Sequence, residues 1–290
     1  MSKRKLPNLY EFDPGVRINR VLLVGCGGTG AQIGRMLARL VYDMKRKNLY
    51  APSLIFVDHD QVEHGNVGRQ LFTAGDVGQN KAEVLARRFN MALGLNIEAR
   101  PHMLRPTDFH DGQYHYSRPG TLLIGAVDND AARRLMHDHI RYVAAWIDCG
   151  NHEHGGQVAI GNRTENWYTE RLKWDGKKHT RHRVMTYLPN DEGQYTILPA
   201  PTLLFPDLLT PDPEGLSCAQ LVEHNRQALF VNDAMAIAAM NYVHKLLMRE
   251  PIQTFITYVD LTTNNMRSVP LTRENLRRHV SIQKTMATPP

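Results

Sequence analysis

The chain has 290 residues, 42% of them hydrophobic, which is enough for a sizeable core in one large α/β domain or two small ones. Three cysteines exclude a disulfide framework. No cationic segment followed by an apolar run opens the chain, and its apolar stretches are too short to span a membrane, so we predict a cytoplasmic protein. The net charge of +6 favours an acidic ligand, although many soluble proteins are mildly basic.

Short apolar runs alternate with helical periodicity through the first half of the chain. They predict strands at 21–24, 54–57, 97–104, 121–127, 144–148 and 157–161, and helices at 31–47, 81–92 and 128–143. This alternation is typical of a Rossmann-like, doubly wound and mostly parallel sheet.

The remaining segments predict the rest of a single domain that covers residues 20–290. Residues 1–19 form an N-terminal arm, 20–162 a nucleotide-binding half, 163–227 an irregular crossover region, and 228–290 a substrate-side helix and hairpin. The hairpin, with strands at 255–261 and 267–271, extends the sheet in an antiparallel direction.

The first motif is a glycine loop between the first strand and the first helix, with glycines at Gly25, Gly27, Gly28 and Gly30. Such a loop aims backbone N–H groups at a phosphate. A dinucleotide-binding fold usually places its ribose-binding acid about 20 residues further on, whereas Asp58 follows Gly30 by 28 residues. The loop alone leaves nucleotide and dinucleotide binding open.

Charged residues after the second strand favour a nucleotide with a leaving phosphate. Asp58 is placed to accept hydrogen bonds from ribose hydroxyls, or it is a surface acid. Arg69 and Lys81 supply cations, which phosphate departure needs and a redox cofactor does not. Asp128 follows a further strand, where it would bind Mg²⁺ or cap the following helix.

These motifs, in this order, resemble the superfamily of ThiF, MoeB and the ubiquitin-activating E1 enzymes. The resemblance covers about residues 20–162, with a weaker match at 229–232. The chain length, the long irregular middle and the Ser217-Cys218 element are similar to those of the ThiF-like proteins of bacterial PRTRC-type gene systems. It implies that the four glycines hold phosphates and that Asp58 binds ribose. It also implies that Asn66, Arg69 and Lys81 handle the triphosphate, with Gln70 a further nucleotide-binding residue, and that Asp128 binds Mg²⁺ or orients the phosphates.

The resemblance also implies a reaction and partners. ATP would adenylate the C-terminal carboxylate of a small ubiquitin-like β-grasp protein, and the enzyme would be a homodimer. Cys218, before a predicted helix start in the crossover region, is the candidate thioester nucleophile or an ordinary cysteine. Cys26 and Cys149 are interpreted as buried structural thiols.

Two features of the sequence depart from the family pattern, and three alternative functions stay open. The chain lacks paired Cys-x-x-Cys motifs, so we expect no zinc, and it lacks the N-terminal Arg-Tyr-x-Arg-Gln segment of family dimers. The basic run at 171–183 would contact an acidic partner or RNA, or form a solvated loop. Alternative functions are adenylation of a small-molecule or tRNA-borne carboxylate, a non-catalytic ATP-binding scaffold, and an NAD-dependent oxidoreductase.

Overall fold

A computed structural model describes residues 9–109, 120–165, 168–174, 176, 179–210 and 230–286. The strands are β1 Glu11–Phe12, β2 Arg20–Val24, β3 Ser53–Val57, β4 Glu98–Arg100, β5 Thr121–Gly125, β6 Ala145–His152, β7 Gly155–Gly161, β8 Tyr168–Trp174, β9 His179–Met185, β10 Gln194–Tyr195, β11 Thr254–Asp260 and β12 Asn265–Pro270. The helices are α1 Gly28–Arg46, α2 Lys81–Leu93, α3 Asp130–His139, α4 Pro201–Leu204, α5 Val231–Met248 and α6 Arg273–Met286.

An eight-stranded sheet with the order β12-β11-β7-β6-β5-β2-β3-β4 forms the centre of the fold. The pairs among β4, β3, β2, β5 and β6 are parallel. The pairs β6 with β7, β7 with β11, and β11 with β12 are antiparallel. The predicted fold class, a mostly parallel sheet with an antiparallel C-terminal extension, is therefore confirmed.

Helices cover both faces of the parallel strands, which explains why these strands are apolar along their whole length. Successive residues of β2 alternate between two clusters of buried residues. Val21 and Leu23 belong to the cluster that includes residues of α1, α2 and α5, and Leu22 belongs to the cluster that includes Met136 of α3. Helices α1 and α5 lie side by side.

Three sequence-based assignments are corrected by the structure. The strand predicted over 97–104 is only Glu98–Arg100, and Pro101 follows at once. Part of the predicted irregular region is an antiparallel hairpin of β8 and β9. The C-terminal hairpin is followed by a helix, α6, that was not predicted.

The described part of the N-terminal arm is attached to the body of the protein. Strand β1 pairs with β10, and Phe12 is buried. None of the described helices is both long and apolar enough to cross a membrane.

Candidate functional site

The loops that follow β2, β3 and β5 meet at one edge of the sheet. The N–H of Gly25 donates to the Val57 carbonyl at 2.9 Å, and the N–H of Ala126 donates to the Val24 carbonyl at 2.9 Å. Gly25 has a φ of +86°, and a Cβ added to it would lie 2.4 Å from the Ala126 oxygen. Only glycine fits here, because both the backbone conformation and the close approach of the β5 loop exclude a side chain.

The glycine loop leads directly into the N-terminus of α1. Gly27 is the N-cap, and no side chain caps this end of the helix. A Cβ on Gly30 would lie 1.8 Å from the Gly25 oxygen, so the loop can close only with glycine there. The first-turn N–H groups and the positive end of the helix dipole make this terminus suited to an anion.

Asp58 fastens the glycine loop to the end of β3. Its Oδ2 accepts a hydrogen bond from the Cys26 N–H at 2.6 Å, and its Oδ1 accepts one from the Asp60 N–H at 2.8 Å. Burial raises the pKa of the Asp58 carboxyl, and the two backbone hydrogen bonds and Lys81 oppose that rise. Each carboxylate oxygen keeps further acceptor capacity for a ligand hydroxyl.

Lys81 lies at the start of α2, next to the same loop. Its Nζ is 2.9 Å from Oδ2 of Asp60, and its own N–H donates to the Asp60 carbonyl at 2.9 Å. Asn80 caps α2 by accepting from the Glu83 N–H, and it donates to the Asp58 carbonyl at 2.9 Å. The cap therefore holds the start of α2 at the end of β3, and the ion pair with Asp60 keeps the Lys81 ammonium group close enough to Asp58 to oppose the rise that burial causes in the pKa of that carboxyl.

Asn66, Arg69 and Gln70 belong to a tight turn between β3 and α2. The Asn66 side-chain oxygen accepts from the Glu63 N–H at 2.9 Å, and its carbonyl accepts from the Gln70 N–H at 3.0 Å. Gln70 Nε2 is the atom nearest to a Cβ added to Gly27, at 3.9 Å, so this turn borders the glycine loop. Arg69 is half-buried.

Asp128 is exposed and follows β5 by way of the loop that contacts Gly25. The expectation that Asp128 caps the next helix is wrong. The N-cap of α3 is Asn129, whose side chain accepts from the Ala132 N–H at 2.8 Å. The Asp128 carboxylate is therefore not used as the cap.

A buried ion pair, which the sequence analysis missed, supports the Asp128 loop. Arg133 Nε lies 3.3 Å from Asp148 Oδ2, and both side chains are buried. The Nη2 of Arg133 donates to the Val127 carbonyl at 2.5 Å and to the Cys149 carbonyl at 3.2 Å. The available signal was an acidic residue inside an apolar strand, because a buried charge needs a partner.

Two of the three cysteines lie in the described residues, and both are buried. Burial raises the pKa of the Cys26 thiol well above its usual value, and it raises that of Cys149. Both are therefore protonated at neutral pH, in agreement with their interpretation as structural thiols. Cys218 lies outside the described residues.

The described residues contain one group of three potential metal ligands within 4.8 Å of one another, namely Asp58, His59 and Asp60. It suits a metal poorly, since both oxygens of Asp58 accept backbone hydrogen bonds and Asp60 pairs with Lys81. The exposed carboxylate of Asp128 supplies a hard oxygen ligand of the kind that Mg²⁺ prefers, together with water.

This chain is similar in sequence and in fold to several known proteins. The ThiF family profile matches residues 15–278. The catalytic subunit of the NEDD8-activating enzyme E1 from Dictyostelium discoideum is 30% identical over 136 residues, which cover 46% of this chain and 28% of that protein. Ubiquitin-like modifier-activating enzyme 5 from Drosophila ananassae is 27% identical over 146 residues, which cover 47% and 34%. The match thus spans about a third of these relatives' length.

Solved structures show the same fold at lower sequence identity. E. coli MccB with ATP superposes with a TM-score of 0.52 and 17% identity, over 88% of this chain and 64% of MccB. PaaA superposes with a TM-score of 0.50 and 16% identity, over 88% and 64%.

Proposed function

The chain belongs to the ThiF family, and from this membership we propose that it uses ATP to adenylate the C-terminal carboxylate of a small ubiquitin-like protein. One observation carries the proposal. The uncapped N-terminus of α1, the loop fastened by Asp58 and the loop that carries Asp128 meet at the same edge of the sheet. The finer resemblance to PRTRC-type ThiF-like proteins stays a prediction.

The proposed reaction joins a carboxylate to the α-phosphate of ATP. A carboxylate oxygen attacks the α-phosphorus, the bond from that phosphorus to the oxygen bridging to the β-phosphate breaks, and pyrophosphate leaves with the negative charge. The acceptor then carries a mixed anhydride with AMP. Positive groups must face the charge that builds on the leaving pyrophosphate.

We assign these positive groups to the N-terminus of α1, Lys81 and Arg69. Lys81 has three N–H donors, and Asp60 accepts from one of them. Asp60 is half-exposed, so incoming phosphates can share or replace this contact. Asp58 would accept from the ribose hydroxyls while it holds the Cys26 N–H.

Asp128 is the residue that we propose for Mg²⁺, which would neutralise phosphate charge when bound. Its neighbour Val127 is held by Arg133, so the protein fixes the loop before the metal arrives. Zinc is not part of the proposal, since we expect none.

The test is ATP–pyrophosphate exchange with Mg²⁺, with and without purified β-grasp proteins. We expect exchange that needs an acceptor with an intact C-terminus. Asp128→Asn should abolish it, whereas Asp138→Asn, which alters an exposed carboxylate on α3, should preserve it. ATP binding without exchange would contradict the proposal and favour the scaffold. Exchange stimulated by RNA or a small carboxylate would favour the alternative acceptors, and binding of NAD instead of ATP would favour the oxidoreductase.

Thioester formation on Cys218 and a homodimer are further parts of the proposal. Cys218→Ala should keep full exchange but lose any conjugate that a reducing agent can cleave. Loss of exchange in a folded Cys218→Ala protein would contradict this division of roles. Sedimentation of the intact protein would test the dimer.

A further inference from the structure

Three polar side chains from distant parts of the chain meet beside the glycine loop. Asn151, near the end of β6, donates from Nδ2 to the Thr29 hydroxyl at 2.6 Å and to Oδ1 of Asn232 at 3.2 Å. The Thr29 hydroxyl donates to the same Asn232 oxygen at 2.9 Å. We name Thr29, Asn151 and Asn232 the amide cluster.

The amide cluster connects helices α1 and α5 through the sheet. Its hydrogen bonds fix the position of the two helices relative to each other more strictly than apolar packing would. Thr29 is in the first turn of α1, Asn232 is in the first turn of α5, and Asn151 is in the sheet between them. Elsewhere α1 and α5 share one apolar cluster, which includes Ile33 and Val243. Hydrogen bonds fix direction as well as distance, whereas apolar contacts tolerate sliding.

The cluster lies directly against the turn that we propose to bind phosphates. A Cβ added to Gly28 would lie 2.3 Å from Nδ2 of Asn232, so the Asn232 amide rests on the start of α1. The Thr29 side chain is buried, and its hydroxyl both accepts and donates within the cluster. A change in Asn232 would therefore be transmitted to the backbone N–H groups of residues 28–30.

We propose that Asn232 and Thr29 are positioning residues, which hold the first turn of α1 in register with the substrate-side helix α5. The inference rests on the proposed function. The N–H groups of this turn would face the phosphates whose charge rises in the transition state. A small shift of these donors weakens transition-state stabilisation more than ground-state binding. The amide cluster should therefore affect the rate of adenylation more than the affinity for ATP.

The experiment compares Asn232→Ala with Asn241→Ala, which removes an exposed amide from the same helix. We expect Asn232→Ala to lower kcat for pyrophosphate exchange by about tenfold and to change the KM for ATP by less than about twofold. Asn241→Ala should change neither. Equal kcat values for the two variants, or an Asn232→Ala effect confined to KM, would overturn the inference.

Thr29 provides an independent check with near-isosteric changes. Thr29→Val removes the hydroxyl and should lower kcat by a similar factor, while Thr29→Ser keeps the hydroxyl and should restore it. A Thr29→Ser protein as slow as Thr29→Val would show that the methyl packing matters and not the hydrogen bonds.

Failure of the proposed function would appear first, as wild-type protein without exchange. In that case hydrogen–deuterium exchange of a peptide covering residues 27–33 still tests the inference, because the Ala31 N–H donates to the Gly27 carbonyl at 2.8 Å. Faster exchange in Asn232→Ala than in Asn241→Ala would support the positioning role, and equal rates would overturn it.

Discussion

The parallel and antiparallel parts of the central sheet hold their residues in different ways. On the parallel side, contacts to the backbone shape the site: the Gly25 backbone touches the β5 loop, and the Asp58 carboxylate accepts from the Cys26 N–H. On the antiparallel side, hydrogen bonds between side chains hold the elements together. A chain of hydroxyls runs from Tyr242 through Thr257 to Ser268, with 2.9 Å at each step.

This difference predicts how each part responds to mutation. Where backbone atoms are already in van der Waals contact there is no room for an added atom, so a single substitution there should have a large effect on ATP binding or on stability. Side-chain networks lose one partner at a time, so their losses should be graded. The two largest predicted effects are each compared with a neighbouring residue that lacks the same constraint.

The largest effect is expected from Gly30→Ala. The added Cβ would lie 1.8 Å from the Gly25 oxygen, a backbone atom that cannot move without opening the loop. Opening the loop would displace the N–H groups proposed to face the phosphates much further than a change in the amide cluster would, so ATP affinity itself should fall, by about 100-fold or more. The matched change is Gly27→Ala, whose Cβ would meet nothing closer than 3.9 Å. Calorimetric titration with ATP would measure both, and similar losses in the two variants would contradict the backbone argument.

The next largest effect is expected from Arg133→Met, which leaves the buried Asp148 without its ion-pair partner. Removing one partner of a buried pair costs about 3–5 kcal/mol in the free energy of unfolding. The double variant Arg133→Met/Asp148→Leu should recover most of that stability. It should not recover pyrophosphate exchange, because the Val127 carbonyl has lost its donor.

The control for this pair is Arg134→Met, which alters an exposed side chain on the same helix. In that variant the free energy of unfolding, measured in urea, should change by less than about 1 kcal/mol. Recovery of both stability and exchange in the double variant would show that Arg133 serves only the fold.

The glycine loop, the parallel strands and the position of Asp58 at the end of a strand could be predicted from the sequence, because each depends on local signals. Buried parallel strands are apolar runs, and a glycine loop is a fixed spacing. The Arg133–Asp148 pair and the amide cluster could not be predicted, because their members are separated by 15 to 203 positions in the chain. Only the fold brings them together.

The missed elements have a different cause, namely weak patterning. Helix α6 is rich in charged residues, and its described part buries only two large apolar side chains, Leu276 and Val280. The hairpin of β8 and β9 has basic residues at many strand positions, which hid its alternation. Strand β4 ends early because proline at 101 cannot donate to a sheet.

A smaller effect is expected from Asp58→Asn. Asparagine keeps the side chain's shape but has a single acceptor oxygen, so one of the two backbone hydrogen bonds to Cys26 and Asp60 is lost. The ATP affinity should fall by about tenfold, equivalent to ~1.4 kcal/mol. Because burial raises the pKa of Asp58, the ionised form that accepts both bonds is lost as pH falls through this raised value. Wild-type affinity should therefore decline at a higher pH than for an ordinary aspartate, and the Asn variant should lack this step.

The smallest effect on stability is expected from replacing Tyr168–Met185 with a short glycine-serine linker. Among the described strands, β8 and β9 pair only with each other, and an isolated two-stranded hairpin contributes little to folding. The free energy of unfolding, measured in urea, should change by less than about 1 kcal/mol.

This segment nevertheless holds six lysines and arginines against two acidic residues, and this excess of positive charge is most of the chain's net charge of +6. If the hairpin guides an acidic acceptor, its removal should raise the acceptor's KM at low salt and have little effect at high salt, because salt screens exposed charges. A large loss of stability would instead mean that the hairpin packs against the body of the protein and belongs to the constrained part of the fold.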